Sequence, residues 1–167
     1  MVFHFKQKKL ENIDIPKLHI NGNHLSYVRN YKFLGLMLDD TLSWDSHINQ
    51  ISNKISKVNA MLSKLKHYFP SSVLLMIYNS LILSQINYGI TLWTFGNCKR
   101  IKRLQKQALR HINKSHFLAH TQPICKTLKT LLFDDISNLN CLKFYYKLQN
   151  KLLPKYFYDS PFSSKTN

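Results

Sequence analysis

A chain of 167 residues is one domain's worth of protein, long enough to bury a core without disulfide or metal staples. Its 44% apolar and 13% aromatic content, with four Gly and five Pro, excludes a disordered linker, a collagen-like chain and a low-complexity tail. Lys and Arg number 24 against eight Asp and Glu, a formal charge of +16, which directs attention to polyanionic partners and to nucleic acid first among them.

The first forty residues have strand character. Val2, Phe3 and Phe5 open it, and Glu11 to Pro16 reads as a polar connection. Asn21-Gly22-Asn23 separates Leu18-His19-Ile20 from His24-Leu25-Ser26-Tyr27-Val28, which predicts a hairpin because a tight turn needs positive φ and these residues tolerate it. Tyr31 to Leu38 follows as an apolar run ended by Asp39-Asp40, and Gly35 in its middle marks a bulge or a close approach of another backbone.

From Ser43 the period becomes helical. Ile48, Ile51, Ile55, Val58, Leu62, Leu65 and Phe69 recur at spacings of three and four, the seam of one long helix. Ser43 or Thr41 suits its cap, and Asp45 suits its positive end. Pro70-Ser71-Ser72 opens a second helix whose Val73, Leu74, Ile77, Tyr78, Leu81 and Ile82 cover most faces, placing it at the centre of a bundle. A third helix is predicted from about Asn97 to Asn113, a fourth after Thr121-Gln122-Pro123, and a fifth from Asp134-Asp135 to before Pro154. The predicted fold is α+β: a small antiparallel β-hairpin module over 1–40, a mainly α-helical bundle over 41–157, and a frayed polar tail over 158–167.

The third helix carries the clearest functional signal. At about 100° per residue, Lys99, Arg103, Lys106, Arg110 and Lys114 share a sector of roughly 80°, opposite Ile101, Leu104, Ala108 and Ile112. Most Lys-rich faces are merely solvated, but those usually intersperse Glu or Asp one turn away, and this face has neither. Such a ridge matches a phosphate backbone. Lys54, Lys57 and Lys64 repeat the theme along the first helix.

Other chemistry is sparse. Asp39-Asp40 after a β run has the look of a Mg²⁺ site, but two-metal chemistry needs a further carboxylate from a neighbouring strand, and Glu11 and Asp14 lie in the polar connection. These aspartates are therefore read as ending a strand near a helix's positive end. His111, His116 and His120 with Cys125 lack any zinc-finger spacing. No phosphate loop and no nucleophile elbow is present, so no catalytic residue, metal or cofactor is expected. Tyr78, Trp93 and Tyr145 sit among apolar neighbours and are assigned to the core rather than to base stacking. Cys98, Cys125 and Cys141 are too few and scattered for a disulfide framework. The amino terminus lacks a secretory pattern, and the run Val73 to Leu83, broken by Asn79 and Ser80, is too short to span a bilayer. A nuclear or cytoplasmic location without a membrane partner is expected.

Tyr31-Lys32-Phe33-Leu34-Gly35-Leu36-Met37-Leu38-Asp39, followed by Leu42-Ser43-Trp44 and His47-Ile48, resembles the segment after the catalytic palm in reverse transcriptases of non-LTR retrotransposons of the jockey and LINE type. Tyr78-Asn79-Ser80-Leu81-Ile82 with Asn87-Tyr88-Gly89, Leu104-Gln105-Lys106-Gln107-Ala108-Leu109-Arg110, and Leu152-Leu153-Pro154 are similar to the thumb and beyond. The resemblance implies that Val2 to Lys9 correspond to the last palm strand and that Phe33, Leu34 and Gly35 form a primer-grip-like turn. It also implies that the helices after Trp44 hold a template–primer duplex, an RNA–DNA hybrid or another nucleic-acid duplex. The family's catalytic aspartates fall before this segment, so the resemblance implies a truncated reverse transcriptase without its active site. Mg²⁺ would then belong to the complete enzyme, and a separate palm and fingers portion is a candidate partner. Without a palm, Phe3, Phe5, Phe33 and Leu36 are expected to expose apolar surface. The competing readings are a non-functional mobile-element remnant, a helical protein-interaction module and an active polymerase.

Overall fold

The computed structural model describes Met1, Phe3 and residues 18–158; the polar connection, the expected palm strand apart from Phe3, and residues 159–167 lie outside the described residues. Two small antiparallel hairpins precede a helical body, the α+β arrangement expected. In the first, β1 (His19–Ile20) pairs with β2 (Asn23–His24) across Asn21-Gly22, both at positive φ, as the turn chemistry required. In the second, β3 (Asn30–Phe33) pairs with β4 (Leu36–Asp39). A two-residue turn divides the apolar run Tyr31 to Leu38, with Leu34 at φ 45° and Gly35 at φ 83°, so Gly35 is no bulge and a turn falls at the position where the resemblance implied one. The expected close approach is present, although a side chain makes it: a Cβ on Gly35 would lie 3.4 Å from Cε1 of Tyr88.

The helices are α1 (Asp45–Leu65), α2 (Ser71–Tyr78), a π-helical segment (Asn79–Leu83), α3 (Ser84–Asn87), α4 (Ile90–Trp93), α5 (Lys99–Ile112), α6 (Thr121–Leu128) and α7 (Phe133–Gln149), followed by a 3₁₀ turn (Lys155–Phe157). The α1 seam is buried through Ile48, Ile51, Ile55 and Leu62, mainly against α5, while Phe69 falls past the helix end and is exposed. Trp93 is fully buried at the centre; its Nε1 donates to the Tyr88 carbonyl at 2.9 Å, and its ring meets those of His47 and Phe133 at 5.7 and 5.8 Å. Tyr78 is buried as expected, but Tyr145 is 58% exposed, because α7 leaves the body after its first turns and buries only Phe133, Ile136 and Ser137. The helix after Pro70 is likewise only half central: Leu74, Tyr78, Ile82 and Ile86 are buried, whereas Met76 and Leu81 face water. Phe3 and Phe33 are exposed as expected, and Leu36 is covered by packing against Gly89.

Helix boundaries shift for definite reasons. α6 starts two residues before Pro123, which its first turn accepts because N–H groups there have no intrahelical acceptor. Asp134 and Asp135 do occupy the first turn of α7, where the helix dipole favours them. α5, α6 and α7 are each followed, within two residues, by a lysine in the left-handed region: Lys114, Lys129 and Lys151 have φ of 52°, 50° and 52°. In each case the next N–H reaches back across the turn, Ser115 to Arg110, Thr130 to Cys125 and Leu152 to Lys147, at 3.0, 3.0 and 2.9 Å. Glycine is the residue that accepts this conformation without strain, so Lys129→Gly should raise stability by about 0.5–1 kcal/mol. A urea midpoint that fails to rise would show that the lysine side chain offsets the strain. The expected fraying does not extend to Tyr158, whose hydroxyl accepts from the Leu153 N–H at 2.6 Å.

Candidate nucleic-acid interface

The two faces of α5 separate as expected, except that the buried side is turned past Leu104, which is half-buried, onto Gln105 and Leu109. Ile101, Gln105, Ala108, Leu109 and Ile112 are buried, and Lys99, Arg103 and Lys106 are exposed on the far side. Arg110 is half-buried, its Nε donating to the Ala119 carbonyl at 2.8 Å, so it fastens the α5–α6 connection as well as continuing the ridge. Lys114 is not on the helix, which ends at Ile112; it is exposed in the turn beyond. Lys102, off the ridge, pairs with Asp134 at 2.6 Å and lies over the Phe133 ring.

Among the described residues, a carboxylate of α1 approaches the ridge. Asp45 and Asn49 of α1 line a shallow depression with Lys99, Arg100 and Arg103, although among the described residues no ion pair within 4.0 Å joins Asp45 to them. The chain was expected to keep acids off this face, and α1 supplies one only because tertiary packing brings its first turn alongside. Arg100, which the spacing argument passed over, donates to Asn53 Oδ1 at 3.0 Å. Asn53 lies one turn from Lys57 on α1, so Arg100 links the α5 ridge to the side of α1 carrying Lys57 and Lys64, both exposed. Lys54 turns the other way, donating to Gln85 Oε1 at 3.2 Å. A positive charge one position off the sector, leaning toward a neighbouring helix, was the available signal for Arg100.

The β3–β4 turn is fixed to the helical body. The Tyr88 hydroxyl donates to the Leu34 carbonyl, and Leu36 packs on Gly89, so the turn that resembles a primer grip meets the Asn87-Tyr88-Gly89 block. Phe33 and Leu34 project exposed from it. At the hairpin's other end Ser46 Oγ donates to Asn30 Oδ1 at 3.0 Å, so hairpin and ridge both come to the first turn of α1.

The Asp39 carboxylate does not fit a divalent ion. Its two oxygens already accept from Thr41, Ser43 and Trp44, and Asp40 is also engaged. Ser43 contributes to capping as expected, its Oγ accepting from the Asp45 N–H at 3.3 Å, but Asp39 is the main organiser of the α1 start. Burial, followed by the charge of Lys66, holds His111 below the usual imidazole range, and among the described residues no three His, Cys, Asp or Glu gather as a metal site. Burial pushes the Cys98 thiol up to about 11, which makes it a packing residue rather than a nucleophile. Among the described residues no helix is long and apolar enough to cross a membrane.

The chain is similar to RNA-directed DNA polymerases of the mobile element jockey. It is 26% identical to that of Drosophila funebris over 144 residues, 82% of this chain and 16% of the relative. It is 26% identical to that of Drosophila melanogaster over 131 residues, 74% of this chain and 14% of the relative. The match therefore takes in most of this chain and a small part of each polymerase. No family model matches the chain, and no solved structure does.

Proposed function

From that likeness to mobile-element polymerases, we propose that this chain is the duplex-holding portion of a reverse transcriptase, which grips an RNA–DNA hybrid by its phosphates and shape without reading bases. The observation that carries the reading is the α5 ridge, where Lys99, Arg103 and Lys106 stand exposed directly opposite the buried stripe. Ammonium and guanidinium groups one helical turn apart neutralise successive phosphates and release their counterions on binding. The Phe33-Leu34-Gly35 turn, fastened to Tyr88, supplies a second contact in the role of a primer grip, at the far end of a hairpin whose base meets the first turn of α1. Polymer synthesis itself would need carboxylates from a separate palm, since Asp39 is committed to its own turn. The chain would act in the nucleus or cytoplasm.

Replacing Lys99, Arg103 and Lys106 together with Glu should weaken binding to a labelled RNA–DNA hybrid by roughly a hundredfold or more at about 50 mM salt. Arg110 is left in place because it fastens the α5–α6 connection. Fluorescence anisotropy is the readout, with circular dichroism confirming that the variant stays helical. Wild-type protein that binds no hybrid under these conditions would leave the mobile-element remnant as the better reading.

A further inference from the structure

At its carboxyl end the α5 ridge runs into an exposed aromatic step. Phe117 is 71% exposed and Leu118 70% exposed, yet the connection that carries them is fastened. Arg110 Nε holds the Ala119 carbonyl at 2.8 Å, the Ala119 N–H reaches the His116 carbonyl at 3.0 Å, and the Leu118 N–H donates to His116 Nδ1 at 3.3 Å. The His116 and Phe117 rings lie 4.6 Å apart, tilted by 47°. A large ring held in water by an ordered connection contributes little to this chain's own core. It presents a flat apolar face next to the cations that the duplex-holding reading assigns to phosphates.

The spacing is suitable. From Lys99 to Arg110 a helix rises about 16 Å, three intervals of about one helical turn, each matched to the step between successive phosphates of a strand. A strand laid along the ridge therefore brings its next base to the segment that Arg110 fastens. We propose that His116 and Phe117 form a stacking platform for an unpaired base, at the point where a bound duplex gives way to single strand. The inference rests on the duplex-holding reading and names the form of substrate, a duplex with a single-stranded extension. Any base offers a π face to such a platform, so no base preference is expected.

The test compares two RNA–DNA hybrids of equal paired length, one blunt and one with an overhang whose first unpaired nucleotide is the fluorescent base 2-aminopurine. Wild-type protein should bind the overhang form at least about fivefold more tightly than the blunt form, and should change the 2-aminopurine emission. Phe117→Ala should lose that preference and the emission change while keeping wild-type affinity for the blunt hybrid and an unchanged melting temperature, since the side chain is exposed. Phe117→Trp should restore the preference. Equal wild-type binding of the two hybrids with unchanged emission would overturn the platform and leave the ridge reading intact. Failure to bind either form would overturn both. A Phe117→Ala protein that altered self-association but kept its overhang preference would assign the aromatic step to protein contact instead.

Discussion

Asp39→Ala is expected to lower the unfolding free energy by about 3–4 kcal/mol, from the loss of several charge-assisted hydrogen bonds in a buried site. The Asp39 carboxylate accepts from the Ser43 and Trp44 N–H groups at 2.8 Å each, from the Thr41 hydroxyl at 2.7 Å, and from the Thr41 N–H and Ser43 hydroxyl at 3.2 Å each. These bonds hold a connection in which Leu42 and Trp44 have φ of 52° and 64°, conformations that cost a non-glycine residue on the order of 1 kcal/mol or more. Removing the carboxylate leaves that strain uncompensated and the start of α1 unorganised. The same bonds set a pH dependence. Burial alone would raise the Asp39 pKa, but the donors of Thr41, Ser43 and Trp44 outweigh it and hold the group below its ordinary 3.8. A carboxylate depressed in the folded state contributes stability above 3.8 and loses it as the pH falls through its lower folded value. Urea unfolding followed by circular dichroism should therefore show acid-side destabilisation in the wild type that is diminished in Asp39→Asn. Identical acid profiles for the two proteins would contradict this role.

Gln105→Leu should cost about 3–5 kcal/mol, because the change keeps the volume, strands the Tyr78 hydroxyl and the Phe133 N–H in buried surroundings, and removes the bond to the Leu131 carbonyl. Gln105 is 1% exposed; its Nε2 donates to the Tyr78 hydroxyl at 2.9 Å and the Leu131 carbonyl at 3.0 Å, and its Oε1 accepts from the Phe133 N–H at 2.7 Å. One side chain thus joins α5 to α2, to the α6–α7 connection and to the first N–H of α7, which has no intrahelical acceptor. Hydrogen exchange should accelerate first at Phe133 and Ile136, since α7 buries little beyond its first turns. A loss below about 1 kcal/mol would mean that water replaces the amide.

What the sequence made legible was periodic. The Ile48-to-Leu62 seam, the Asn21-Gly22 turn and the division of α5 into a buried and a charged side follow from spacing, and packing upheld them. Local cues that needed tertiary partners were not legible. The Leu34-Gly35 turn was legible only through the resemblance, because Leu34 is a poor residue for positive φ and is held there by the Tyr88 hydroxyl. The role of Gln105 was not legible, as nothing near it in sequence announces Tyr78 or Phe133. Apolar content misled where burial is one-sided: Tyr145 and Leu81 face water although their neighbours in sequence are apolar. At the interface, the ridge from Lys99 to Arg110 was readable, but the nearby Asp45, the Arg100–Asn53 link and the fastening of Arg110 depend on elements distant in sequence.

The salt dependence of hybrid binding bears most directly on the duplex-holding role. With Lys99, Arg103, Lys106 and Arg110 each meeting a phosphate, log K against log salt should fall with a slope near −3 to −4, and Glu at the first three positions should bring it to about −1 or abolish binding. A wild-type slope near zero, or one left unchanged by the three substitutions, would contradict it.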